Sequence, residues 1–227
     1  MADYQGIVEV KLRTSTPTIS LHDGTDFRLI LELRLASNAQ EGRPVTICLD
    51  DTCFQQRGPN EGGFNPLSEG AFHRLERADD STGRPIRLGG FRVNRKWTET
   101  SNEMRERKAQ LLTIPADGSS VTVSHALDWP RMFRYAERVT KDDLKPGDRL
   151  KTKIEERYLR TDWWCWGDLE GDLKDKKLHY WTPDYISEPK PDDDFVRDGN
   201  WVLGKESRAL GFEDKTEGGW AVFEVAE

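Results

Sequence analysis

The sequence predicts an all-β fold: an antiparallel β-sandwich with an extended C-terminal strap. Three observations carry this expectation. Seven or eight short segments are alternating or β-branched and are separated by Gly, Pro, Asn and Asp turn chemistry, while helical periodicity is almost missing. Trp163-Trp164-Cys165-Trp166 places large apolar side chains on both faces of an extended chain, so each face needs a cover. The stretch beyond Asp168 is rich enough in aromatic residues to supply one. A closed barrel is the alternative architecture.

In chain order, Gly6 to Leu12 alternates Val8, Val10 and Leu12 with Glu9 and Lys11, the pattern of a half-buried strand. Phe27 to Leu35 is the clearest strand, with Phe27, Leu29, Leu31, Leu33 and Leu35 on one face and Arg28, Glu32 and Arg34 on the other. As a helix, the same alternation would put apolar groups all round the cylinder, so period outweighs the helix propensity of Leu and Glu. Pro44 to Leu49 is a short β-branched strand. Gln55 to Gly70 is an irregular crossing, and Ala71–Arg77 with Arg84–Leu88 reads as two strands around the turn Asp79–Gly83. Thr98 to Lys108 is polar throughout, a loop or a short solvated helix. Gln110–Ile114 and Ser119–Ala126, joined by Pro115-Ala116-Asp117-Gly118, make the most hairpin-like pair. Trp129 to Val139 holds a helical turn with Trp129, Met132, Phe133 and Tyr135 as a local cluster. Pro146-Gly147 then turns the chain into one long strand, Asp148 to Trp166.

The chain divides into a sandwich body, residues 1–167, and an acidic, aromatic-containing strap, residues 168–227, packed on the body. The strap carries 16 Asp and Glu against 8 Lys and Arg. Pro183 to Asp194 cannot form continuous secondary structure, and the strap ends in a strand at Trp220 to Val225. Trp181, Tyr185, Phe195, Trp201 and Trp220 are the residues expected to cover the outer face of Trp163 to Trp166.

With 227 residues and a formal net charge of −7, the chain can bury a substantial core. No apolar run approaches the roughly 18 residues of a membrane span, and no basic segment followed by an apolar one opens the sequence, so a soluble cytoplasmic protein is expected. Cys48, Cys53 and Cys165 read as reduced, mostly buried thiols. Their spacing does not give the four ligands of a structural zinc site, and no metal or cofactor is expected. Asp194 to Asp198 before Gly199 fails as a calcium loop, because Val196 and Lys205 stand where oxygen ligands are needed.

Nucleophile elbows, zinc-protease motifs, phosphate loops and dinucleotide fingerprints do not occur. His125 with Asp128 can form an oriented general base, and Asp162 is a further acid or base candidate. Against this stands the usual fate of a lone histidine, a local hydrogen bond. Eight Lys and Arg against three Glu between Arg84 and Lys108, with Phe91 and Trp97 interleaved, could bind a polyanion. The acidic balance of the whole chain argues instead that this segment faces the strap, so nucleic acid is not an expected partner. Trp163, Trp164, Trp166 and Trp181 are the ligand-binding candidates, although burial as core anchors is the more economical reading.

Phe27-Arg-Leu-Ile-Leu-Glu-Leu-Arg-Leu35, Leu144-Lys-Pro-Gly-Asp148 and Trp163-Trp-Cys-Trp-Gly167 resemble segments of uncharacterised filamentous-fungal proteins. The resemblance implies an immunoglobulin- or arrestin-like β-sandwich over about the first three quarters of the chain, and implies no activity. The expected function is a non-catalytic binding or protein-interaction module of the cytosol, with a protein or small-molecule partner. The alternatives are a cofactor-independent cyclase, isomerase or hydrolase with a tryptophan-lined pocket, and a carbohydrate-binding protein.

Overall fold

The computed structural model describes residues 4–24, 26–56, 64–80, 83–90, 101, 103–136, 138–180 and 199–227. Alternation in the sequence becomes strand wherever one face can be buried. The first sheet contains β1 (Gly6–Thr14), β3 (Arg28–Asn38), β7 (Val121–Ala126) and β12 (Leu210–Asp214), in the order β12-β1-β3-β7. Val8, Val10 and Leu12 pair with Leu35, Leu33 and Leu31, and all six point into the core. Their neighbours Glu9, Glu32 and Arg34 stay on the wetter face, where Arg13–Glu32 and Arg34–Glu9 form ion pairs.

The second sheet has the order β2-β13-β8-β5, formed by β2 (Thr18–Ser20), β5 (Glu76–Arg77), β8 (Arg149–Thr152) and β13 (Ala221–Ala226). Ile19, Leu150, Ala221, Phe223 and Val225 join the same core as the leucines of β3. Phe27, just before β3, meets Phe223 of β13 with ring centroids 4.7 Å apart, and Phe72, in an isolated bridge with Ile154, meets His125 of β7 edge-on at 5.3 Å.

A third sheet, β6-β4-β9, is built from β4 (Val45–Cys48), β6 (Leu111–Ile114) and β9 (Trp164–Trp166). All four residues of β4 are buried, so both faces of this sheet are covered. Val45, Ile47, Trp164 and Trp166 face the main core; Cys48, Trp163 and Cys165 form a second cluster with Met104, Leu173 and Leu178. The short parallel pair β10 (Lys177–His179) and β11 (Trp201–Leu203) lies beside this second cluster. Among the described residues the α-helix is a single short one, α1 (Trp129–Phe133).

Several expectations are corrected. The sheets are mixed rather than purely antiparallel, because β12 runs parallel to β1 and β13 runs parallel to β2. The long strand is broken: β8 belongs to the second sheet and β9 to the third, with a 3₁₀ turn at Glu156–Tyr158 between them. Each end of that stretch satisfies its backbone against a different partner, and Tyr158 pins the crossing by donating its hydroxyl to the Glu69 carbonyl at 2.9 Å. The apparent hairpin is a corner, since β6 pairs with β4 while β7 pairs with β3. Its turn chemistry is sound, with Gly118 at φ +82°, but a turn does not dictate that the flanking strands pair with each other.

Residues 103–108 are not merely solvated: Met104 and Glu103 are buried, and a Glu103 carboxylate oxygen accepts from Leu178 N at 2.9 Å. Residues 168–227, expected to lie across the body, contribute β12 and β13 to its sheets, and the terminal strand sits between β2 and β8. Trp220 does not cover Trp163; it lies beneath Lys151 and Lys153 and against His73. Trp181, Tyr185, Phe195, the acidic residues Asp192 to Asp194, the failed calcium loop at Asp194 to Asp198, Phe91 and Trp97 lie outside the described residues. Among the described residues, no helix is long and apolar enough to cross a membrane.

Candidate functional site

The tryptophans of β9 and its approach are anchors. Trp163 is buried and donates Nε1–H to the His179 carbonyl at 2.8 Å. The backbone of Gly204 presses on its indole so closely that a Cβ there would lie 2.3 Å from Nε1. Trp164 donates to the Glu206 carbonyl at 2.8 Å, and Trp166 stands edge-on to it at 5.2 Å. Trp166 Nε1 is buried with no acceptor among the described residues. The three indoles therefore bind protein on their sides and edges; the fourth ligand-binding candidate, Trp181, lies outside the described residues.

The catalytic candidates occupy separate surroundings. His125, on β7, is buried, and Nε2 lies 2.8 Å from the Cys53 carbonyl. A carbonyl can only accept, so Nε2 carries the proton. Burial drives the imidazole down to about 4, which keeps it neutral in ordinary conditions. Asp128 caps α1, its Oδ1 accepting from Arg131 N at 2.8 Å. Asp162 sits on the turn before β9 beside Arg160, at 3.6 Å, and partial burial raises its carboxyl above the ordinary range. No hydrogen bond joins any two of His125, Asp128 and Asp162 among the described residues. The thiols are equally withdrawn: burial pushes Cys48 and Cys165 up to about 12 and Cys53 well above its ordinary value.

An opening in the surface lies at α1. Leu127 N donates to the Phe27 carbonyl at 2.9 Å, fixing the exit from β7, and the Asp128 cap with Pro130 in the first turn starts the helix at once. Trp129 and Phe133, four residues apart, share one helix face and stack at 6.1 Å with an interplanar angle of 21°. Trp129 is fixed by its N–H to the Ser20 carbonyl at 2.7 Å, and Gly24 gives it room. Beyond the helix, Val139 and Lys141 fold back so that the Lys141 ammonium stands 5.8 Å from the Trp129 ring centroid. These groups enclose a mostly apolar cleft of about 530 Å³, with His22 and Asp128 at its polar margin.

A second cleft of about 330 Å³ adjoins it. Arg74, Arg84, Arg87 and Arg138 line this one, and Ala136 and Val139 line both. The sequence had pointed to Asp128 and to Trp129 as part of a local cluster, but not to the cleft. The usable signal was the Asp-Trp-Pro start followed by Phe at helical spacing. The arginines come from residues 74, 84, 87 and 138, and only the fold brings them together.

No family model, curated protein or solved structure matches the chain.

Proposed function

We propose that the protein is a non-catalytic binding module of the cytosol, and that the Trp129 cleft takes the apolar part of a small-molecule ligand. The cleft carries this reading. Its volume of about 530 Å³ falls within the range of small-molecule sites, and its walls are mainly apolar with a few polar groups at the margin. Its aromatic wall is also preorganised, because Trp129 is hydrogen-bonded to Ser20 and stacked on Phe133 before anything binds. The three free, buried thiols suit a reducing compartment. For the fold we propose an immunoglobulin- or arrestin-like sandwich. Support comes from the single core that the two four-stranded sheets share, which holds Leu29, Leu31 and Leu33 of one and Leu150, Phe223 and Val225 of the other.

Decanol, a neutral probe, tests the cleft. Titration calorimetry should give one saturable site, and Phe133→Asp, at a half-buried wall position, should abolish it while the unfolding midpoint stays near that of the parent. A parent protein that fails to bind decanol, or a variant that binds it equally well, would remove the cleft from consideration.

A further inference from the structure

We propose that the ligand is a free, single-chain amphiphile with an anionic head group. Its apolar body occupies the Trp129 cleft and its phosphate or carboxylate head lies against Arg74, Arg84, Arg87 and Arg138. This rests on the apolar-ligand reading above and adds the head group to it.

Two observations carry the step. The first is contiguity: Ala136 and Val139 line both clefts, so an apolar wall passes directly into a basic one. The second is charge. The chain is acidic overall, with a net charge of −7, yet four arginines line a cleft of about 330 Å³. Arg84, Arg87 and Arg138 form no hydrogen bond or ion pair with any described residue. Arg74 is held by Glu76 through Nε at 3.2 Å. Besides Glu76, Asp143 interacts electrostatically with Arg84 and Arg77, but its Oδ2 accepts from Thr140 N at 2.8 Å and from Thr140 Oγ1 at 3.1 Å.

Gathering like charges is costly, and a bound anion removes that cost. Planar guanidinium groups also match the paired oxygens of a carboxylate or phosphate. Lys141, at the margin of the apolar cleft, adds a further cation, while Asp128 on the same margin has its Oδ1 engaged by Arg131 N at 2.8 Å. A neutral apolar ligand would leave all of this unused.

The test is titration calorimetry on the full chain with decyl phosphate below its micellar concentration, decanol and inorganic phosphate. Decyl phosphate should bind at one site about tenfold or more tightly than decanol, roughly the worth of one hydrogen bond to a charged group. Added salt should weaken decyl phosphate and leave decanol unchanged. The double variant Arg87→Gln with Arg138→Gln, two exposed positions, should erase the advantage of decyl phosphate without altering decanol affinity or the unfolding midpoint. The single variant Arg84→Gln should lower the advantage in part.

Equal affinities for decanol and decyl phosphate would overturn the head-group assignment and leave the apolar cleft intact. Failure of both to bind would overturn the two readings together. Inorganic phosphate binding as tightly as decyl phosphate would show an anion site without an apolar partner. Co-sedimentation with anionic vesicles without binding of the monomer would show a membrane surface instead. Either of these last two results overturns the amphiphile.

Discussion

His125 donates Nε2–H to the main-chain carbonyl of Cys53 at 2.8 Å, a buried bond between positions 72 apart in the chain. It ties β7 to the loop after β4, and burial of the ring, rather than the bond itself, disfavours the charged form. Burial lowers the folded pKa to about 4, against about 6.5 when unfolded. Between these values the unfolded chain binds more protons than the folded one, so stability rises with pH. The contribution is complete above about pH 6.5 and is lost as pH falls toward 4, on the order of 3 kcal/mol in all. Urea unfolding at pH 7 and pH 4.5 should show this loss in the parent and a smaller one in His125→Asn. Equal losses in the two proteins would mean that other groups set the acid response.

The three indoles of the Trp163 to Trp166 stretch should differ in what their N–H groups contribute. Trp163→Phe and Trp164→Phe each delete a satisfied bond, to the carbonyls of His179 and Glu206, as well as ring area. Trp166→Phe deletes ring area but also removes a buried donor with no acceptor among the described residues. It should therefore be the mildest of the three by about 1–3 kcal/mol in chemical denaturation, the usual worth of a buried polar group gained or lost. If Trp166→Phe proves the most damaging, its indole N–H has a structural partner.

Ending the chain at Gly219 should abolish cooperative folding. β13 lies between β2 and β8, and Ala221, Phe223 and Val225 are buried in the main core. Burying a Phe or Val side chain contributes about 1.5–3 kcal/mol, so losing this strand removes a large share of the roughly 5–15 kcal/mol that holds a domain together. A soluble truncated protein with a sharp unfolding transition would show that the second sheet closes without β13.

Local pattern was readable from the residues, and pairing was not. β3 could be read because Leu29, Leu31, Leu33 and Leu35 repeat at period two against Glu32 and Arg34, a demand of the pleat alone. The two apolar faces of β9 were readable for the same reason. What covers them was not, because Met104 sits inside a polar run and Trp220 turned to the lysines of another sheet. The break between β8 and β9 was also hidden. Nothing local marks the point at which a chain leaves one sheet for the next when both ends are apolar. The α1 cleft was half readable, through the Asp128 cap and the spacing of Trp129 and Phe133. The arginine cluster was not, since Arg74 and Arg138 meet only after the sheets have formed.

Leu12 N donates to the Thr216 hydroxyl oxygen across 204 positions, and the parallel pairs β1 with β12 and β2 with β13 span similar intervals. Such long-range pairing is slow, because loop closure must be completed before any contact repays it. At roughly 5–20 residues per second, synthesis from β1 to β12 takes on the order of ten seconds or more. During that time β1 has an unpaired edge, while β2 and β8 wait for the strand that separates them. Folding therefore follows synthesis of residues 210–226, and the nascent chain is a natural client for chaperones that shield open strand edges.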